Sequence, residues 1–309
     1  MKLLADAGNT RLKLSWARTG AILRTDEVAA FDYAHLQAAT DWVAALPVAV
    51  TQVCGVSVVG ELRRAQIEAA LRLGMLGQPC RVAQAAPPAV QWLTSTAQAG
   101  GVRNDYALPQ QLGADRWAAL LGVAAHERQR LATLASQALL PQSAAPVPAL
   151  VPVLLASFGT ATTLDALLPL ADAAYPDCDY VFPGGLILPG VDLMRQALLQ
   201  GTAQLPLVSA APCDPPPFPK HTDEAIACGI AAAQAGALWR QWMQLCKHID
   251  QAHHHDDRNP PRLSPQLYIS GGAWAQLEAE IRQWFATTTS IAYLPAPALD
   301  GLATLAALQ

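Results

Sequence analysis

The chain has 309 residues, 52% of them hydrophobic and only 14% charged, well below the usual quarter. That length and apolar content suit two domains with a buried core each and exclude disorder as the organising principle. Lysine and arginine total 20 against 24 for aspartate and glutamate, and no basic patch interleaves with aromatics, which argues against nucleic acid as the main partner.

Taken in order, "MKLLADAGNT" has no long apolar run before Asp6, so no signal peptide is expected. Residues 2–9, 11–18 and 21–28 read as three short strands, and "RLKLSW" alternates as a half-buried strand does. A helix near 34–46, an apolar strand over 50–58, a helix over 61–73 and a strand near 79–85 follow. Three strands and then alternating helix and strand predict an α/β unit with a mixed sheet.

"GADRWAALLG", residues 113–122, sets Asp115 and Arg116 side by side at the start of an apolar helix. From Leu131 to Leu164 no residue is charged, yet prolines 141, 146, 148 and 152 interrupt the stretch. It reads as a helix end, a loop and a buried strand, not as a membrane span.

The second half starts as the first does, with a strand, a Gly-Thr turn and a second strand in "ALVPVLLASFGTATTLDALL". A third strand ends in "GGLILPG". Helices near 190–200 and 222–247, the strand "QLYISGG", a helix, the strand "SIAYLPA" and a last helix complete the chain. Asp6-Ala7-Gly8-Asn9-Thr10 and Ser157-Phe158-Gly159-Thr160-Ala161, nearly half the chain apart, each end an apolar strand in an x-Gly-polar turn. Repetition on that scale suggests a duplicated domain.

Segments 138–149, 212–221 and 250–265 read as inserted loops. The last carries His253, His254 and His255, and adjacent histidines without further ligand spacing read as a solvated loop rather than a metal site. Six scattered cysteines without a C-x-x-C suit reduced thiols in the cytoplasm.

Binding a triphosphate requires backbone N–H groups directed at phosphate oxygens, which glycine permits, and a hard carboxylate for Mg²⁺. "LLADAGNTRLKL" offers Asp6 at a strand end, Gly8 in the turn, Asn9 and Thr10 as donors, and Lys13 on the next strand. A plain hairpin turn would use the same residues. Gly159-Thr160 offers a second such turn and Gly271-Gly272 a third. Neither a P-loop nor a dinucleotide fingerprint occurs.

"DAGNT", "YALPQQLGADR", "FGTATTLD", "GGLILPG" and "SGG" together resemble the type III pantothenate kinases, a family that includes the Bvg accessory factors, over essentially the whole chain. The most specific part is Y-x-x-P-x-x-L-G-x-D-R, Tyr106 to Arg116. The resemblance implies the actin-like ATPase superfamily: two duplicated ribonuclease H-like α/β domains, mixed sheets flanked by helices, here divided as residues 1–117 and 118–309. It implies ATP-dependent phosphorylation of pantothenate to 4′-phosphopantothenate, the first step of coenzyme A synthesis. Asp6, Ala7, Gly8, Asn9, Thr10, Arg11, Leu12 and Lys13 match the first phosphate-binding segment, with Asp6 on the Mg²⁺ side. Gly159 and Thr160 match ATP contacts. Tyr106, Gly113, Ala114, Asp115 and Arg116 match the pantothenate site, with Asp115 as the general base. Thr202 matches a substrate contact supplied across a homodimer interface.

Phosphoryl transfer to an alcohol needs the hydroxyl aligned and its proton removed, and a carboxylate at a helix start stays ionised to do so. Arg116 beside it can pair with a carboxylate substrate. Where the family usually has an aspartate that accompanies a monovalent cation, potassium or ammonium, this chain has Ser157. The hydroxyl removes a formal charge, so a weakened or lost cation requirement is expected. A regulatory nucleotide-binding member without turnover and another actin-like sugar or acid kinase are the alternatives.

Overall fold

The structure, a computed structural model, describes residues 1–17, 28–80, 86–138, 149–202, 205–206, 208, 216–254 and 264–307. Most of the strand expected at 21–28, much of that at 79–85, most of the loops expected at 138–149 and 250–265, and part of that at 212–221 lie outside the described residues.

Two compact units form, one of Met1–Pro148, Leu170–Val181 and Ala296–Gln309, the other of Ala149–Pro169 and Phe182–Pro295. In the first, β1 (Lys2–Ala7) and β2 (Arg11–Ala17) make an antiparallel hairpin, and β3 (Ala29–Asp32) adds antiparallel to β2. β4 (Gln52–Ser57) runs parallel to β1, and β5 (Val90–Trp92) parallel to β4, so the order is β3-β2-β1-β4-β5. The third strand therefore begins just past the expected segment, where Phe31 can reach Trp42 of α1 (Leu36–Ala44) edge to face.

β1 and β4 are buried on both faces, as central strands of a covered sheet must be, and Leu3, Leu4, Ala5, Val53 and Val56 supply the apolar run. Helix α2 (Glu61–Leu76) covers one face through Ile67, Leu71 and Met75, which recur at helical spacing. Helix α3 (Ala114–Ala138) packs against the last helix of the chain, Pro297–Ala307, which is buried along nearly its whole length. The division expected between residues 117 and 118 falls inside α3, and α3 lies wholly in the first unit. This unit also holds β6 (Gln98–Ala99) and β7 (Val102–Asn104).

In the second unit β8 (Val153–Phe158) and β9 (Ala161–Pro169) form a hairpin, and β10 (Tyr180–Pro189) follows beside β9. β11 (Gln266–Ser270) runs parallel to β8 and β12 (Ile291–Tyr293) parallel to β11. The order is β12-β11-β8-β9-β10. The first two residues of β10, Tyr180 and Val181, belong to the first unit. Helices α4 (Val191–Gly201), α5 (Thr222–His254) and α6 (Trp274–Phe285) contribute to one core with the strands. His253 and His254 thus end a long helix instead of lying in a loop.

Both units arrange their first five strands in the same way: third, second, first, fourth, fifth. The duplicated, ribonuclease H-like α/β architecture is therefore present. Asp6 and Ser157 occupy the same place in it, each the fifth residue of the central strand and two before the glycine of the hairpin turn.

Candidate functional site

In the first unit the site is built at the carboxyl end of β1, a position where open α/β sheets bind ligands. Asp6 interrupts the apolar run Leu3–Ala7 of β1, opposite Lys13 across the hairpin. Burial pushes its carboxyl up from 3.8 to about 6; Lys13 pulls it down and the nearby Asp115 carboxylate pushes it further up. The influence of Asp115 brings two carboxylates that are far apart in sequence into one neighbourhood. Asn9, Thr10 and Arg11 are exposed in the turn, whereas Ala7 and Leu12 are buried and anchor it. A side chain at Gly8 would meet only the Arg11 carbonyl, at 3.5 Å, so the fold itself does not demand glycine there.

Asp115 lies in the first turn of α3, which opens where the Trp117 amide donates to the Gly113 carbonyl at 2.9 Å. Ala114 is the first residue of the helix. The Asp115 carboxylate accepts the Arg116 amide at 2.8 Å, a negative group at a positive helix end. Trp117 is fully buried and pins this turn to the core. Arg116 is also buried, and it donates to the Tyr106 hydroxyl at 3.2 Å with its guanidinium 5.9 Å from the Tyr106 ring centre.

Asn104 fixes the loop in between. Its side-chain oxygen accepts the Tyr106 amide at 3.1 Å, and its amide group donates to the Thr96 and Pro109 carbonyls. Reading the sequence did not single out this residue.

In the second unit the Gly159-Thr160 turn is held from two sides. The Gly190 amide donates to the Thr160 carbonyl at 3.0 Å, and the Ala273 amide donates to the Phe158 carbonyl at 3.1 Å. A side chain at Gly190 would run into the Gly159 carbonyl, and one at Gly271, whose φ is +101°, into the Phe158 backbone. Gly190 caps the start of α4 and Ala273 the start of α6, so two positive helix ends sit beside this turn. The "GGLILPG" and "SGG" segments thus act as its close-packed supports. Ser157 neighbours Thr163 and Ser270 in register, a set of hydroxyls without a carboxylate in direct register.

The structure therefore gathers Asp6, Lys13 and Asp115, and joins Arg116 to Tyr106, all within the first unit. Gly159, Thr160 and Ser157 gather at one end of the second. Thr202 does not join them. It follows the far end of α4, roughly 16 Å along the helix from Gly190, and its exposed hydroxyl donates to the Leu198 carbonyl at 2.7 Å. Tyr33 was also missed; it donates to the Gly8 carbonyl and belongs to no motif.

Comparison with known proteins adds an independent finding. A family model for type III pantothenate kinase matches residues 2–135 and 144–244. The chain is 41% identical to a type III pantothenate kinase of Bordetella petrii over 99% of its length and 97% of the relative. The protein of that name from Bordetella pertussis is 40% identical over 99% of this chain and 98% of its own. One from Aromatoleum aromaticum is 36% identical, covering 90% and 88%.

Proposed function

As the chain belongs to the type III pantothenate kinase family, we infer that its reaction is ATP-dependent phosphorylation of pantothenate, the step that opens coenzyme A synthesis. The observation that carries the residue assignment is the meeting of Asp6, Asp115 and the Arg116–Tyr106 pair in one unit. Pantothenate has a carboxylate at one end and a primary hydroxyl at the other. Arg116, stiffened by Tyr106, takes the carboxylate. Asp115 accepts the hydroxyl proton as the oxygen attacks the γ-phosphorus, and ADP departs with the electrons of the broken P–O bond. The Arg116 amide holds the Asp115 carboxylate in place to receive that proton.

Gly8, Asn9, Thr10 and Lys13 on one hairpin, and Gly159 and Thr160 on the other, are the ATP contacts in this reading. The two helix starts at Gly190 and Ala273 support the second assignment. Asp6 fits a hard divalent cation, because a carboxyl group raised to about 6 next to a second carboxylate is a place where added positive charge is welcome. Mg²⁺ held there through Asp6 would neutralise phosphate charge. At Ser157 only hydroxyls stand in register, so weak binding of a monovalent cation is expected.

A homodimer belongs to the same proposal. Thr202 ends a helix that leaves Leu193 and Leu199 each 40% exposed, close in sequence to Ile187 at 63%, an apolar surface suited to a second copy. A cytoplasmic setting goes with ATP as the donor. No helix among the described residues is long and apolar enough to cross a membrane.

The test is ADP release with ATP, Mg²⁺ and pantothenate, with and without potassium or ammonium. Release that depends on pantothenate and hardly on the salt is expected. Folded protein that binds ATP yet releases no ADP under any salt would overturn the reading.

A further inference from the structure

Tyr33 stands one residue past β3, in a short 3-10 turn over Tyr33–His35. Its hydroxyl donates to the Gly8 carbonyl at 2.5 Å, and the exposed Arg63 guanidinium, in the first turn of α2, lies 4.7 Å from the centre of its ring. We propose that Tyr33 is a positioning residue for ATP: by holding the Gly8 carbonyl, it aims the Asn9 N–H at the nucleotide's phosphates. This inference rests on the reading of the Gly8–Thr10 turn as a phosphate contact.

The geometry follows from the peptide bond. In a planar trans peptide the carbonyl and the next N–H point in opposite directions. With the Gly8 carbonyl held by Tyr33, the Asn9 N–H faces away from Tyr33, in a turn where Asn9 and Thr10 are exposed. Glycine makes this peptide easy to rotate, and the nearest atom to a side chain at Gly8 would be the Arg11 carbonyl at 3.5 Å, ordinary contact distance. Close packing around its Cα therefore does not clamp Gly8, and the Tyr33 hydroxyl restrains its carbonyl. A rotated peptide would present a carbonyl oxygen to phosphate, exchanging attraction for repulsion. Burial, with the Asp6 carboxylate adding to it against Arg63, pushes the Tyr33 hydroxyl up to about 12, so it remains a donor at neutral pH.

The experiment compares Tyr33→Phe with the unaltered protein in steady-state kinetics, thermal unfolding and direct titration with ATP and with adenosine. Loss of one hydrogen bond that orients another should raise KM for ATP about tenfold and leave KM for pantothenate unchanged. ATP should bind more weakly while adenosine binds as before. An unchanged KM for ATP overturns the inference, and so does an equal rise in both KM values with a lowered Tm, which marks a merely structural tyrosine. Asp6→Asn separates this failure from that of the parent reading. If it impairs Mg·ATP use while Tyr33→Phe has no effect, only Tyr33 loses its role; if neither variant affects ATP, the phosphate turn itself is misassigned.

Discussion

Asp6 enters the folded state with a carboxyl near 6 where an unperturbed aspartate has 3.8, mainly because burial disfavours its charge. A group that binds its proton more tightly when folded stabilises the fold while it is protonated. That stabilisation is complete below pH 3.8 and is lost as the pH rises through 6. At 1.36 kcal/mol for each pH unit between the two values, the ionised Asp6 costs the fold roughly 3 kcal/mol at neutral pH. Asparagine keeps the size and hydrogen-bonding shape of the protonated acid and carries no charge. Without nucleotide or divalent metal, Asp6→Asn should therefore be more stable than the unaltered protein by up to about 3 kcal/mol at pH 8, and the difference should fade toward pH 4.

Urea unfolding of both proteins at pH 4.5, 6 and 8 measures that difference directly, and subtracting one curve from the other cancels the carboxylates they share. Mg·ATP should then stabilise the unaltered protein more than the variant, and the variant should lose most turnover. This is the familiar opposition between a strained site and a stable fold. A stability difference that does not change with pH would mean that Asp6 is not held at a raised pKa. Undiminished Mg·ATP use by the variant would refute its place beside the metal.

Asp115→Asn keeps an oxygen to accept the Arg116 amide, so ATP binding and Tm should hold while kcat falls about 10²- to 10⁴-fold; unchanged turnover removes Asp115 as the base. Gly190→Ala drives a methyl group into the Gly159 carbonyl and within 2.5 Å of the Thr160 carbonyl. It should destabilise the protein by about 1–3 kcal/mol and raise KM for ATP, and a wild-type melt with wild-type KM would show that the turn is not held there. Ser157→Asp should make turnover respond to potassium more strongly than in the unaltered protein. Identical salt dependence in the two would show that this position does not govern the cation.

Much of the fold was legible because its signals are local. The central strands are continuous apolar runs, the hairpin turns carry glycine, and the helices show helical spacing, so β1, β2, β4, β8, β9 and α4 to α6 could be placed from the chain alone. The third strand was harder, since Ala29–Asp32 is short, alternates between half-buried and exposed residues, and takes its position from pairing with Arg11–Leu14. The Tyr106–Arg116 run was legible as a unit because its members act within one turn of chain and helix. Tyr33 and Asn104 were not. Each works through a hydrogen bond to a main-chain group elsewhere, and any main-chain group looks the same in a sequence.

The two hairpins show how one topology supports two solutions. At the fifth residue of its central strand, the first unit sets a carboxylate, tolerates its raised pKa, and has the Tyr33 hydroxyl on the Gly8 carbonyl of the following turn. At the same place the second unit sets a serine and gets its order from close packing, with Gly190 and Gly271 pressed against the turn. The charged solution suits a site that must attract a divalent cation and so depends on pH. The packed solution suits one that offers backbone donors and hydroxyls in place of a carboxylate at that position. Substitutions at Asp6 and Tyr33 should therefore act on function with small or even favourable effects on stability, whereas those at Gly190 and Gly271 should lower stability and function together.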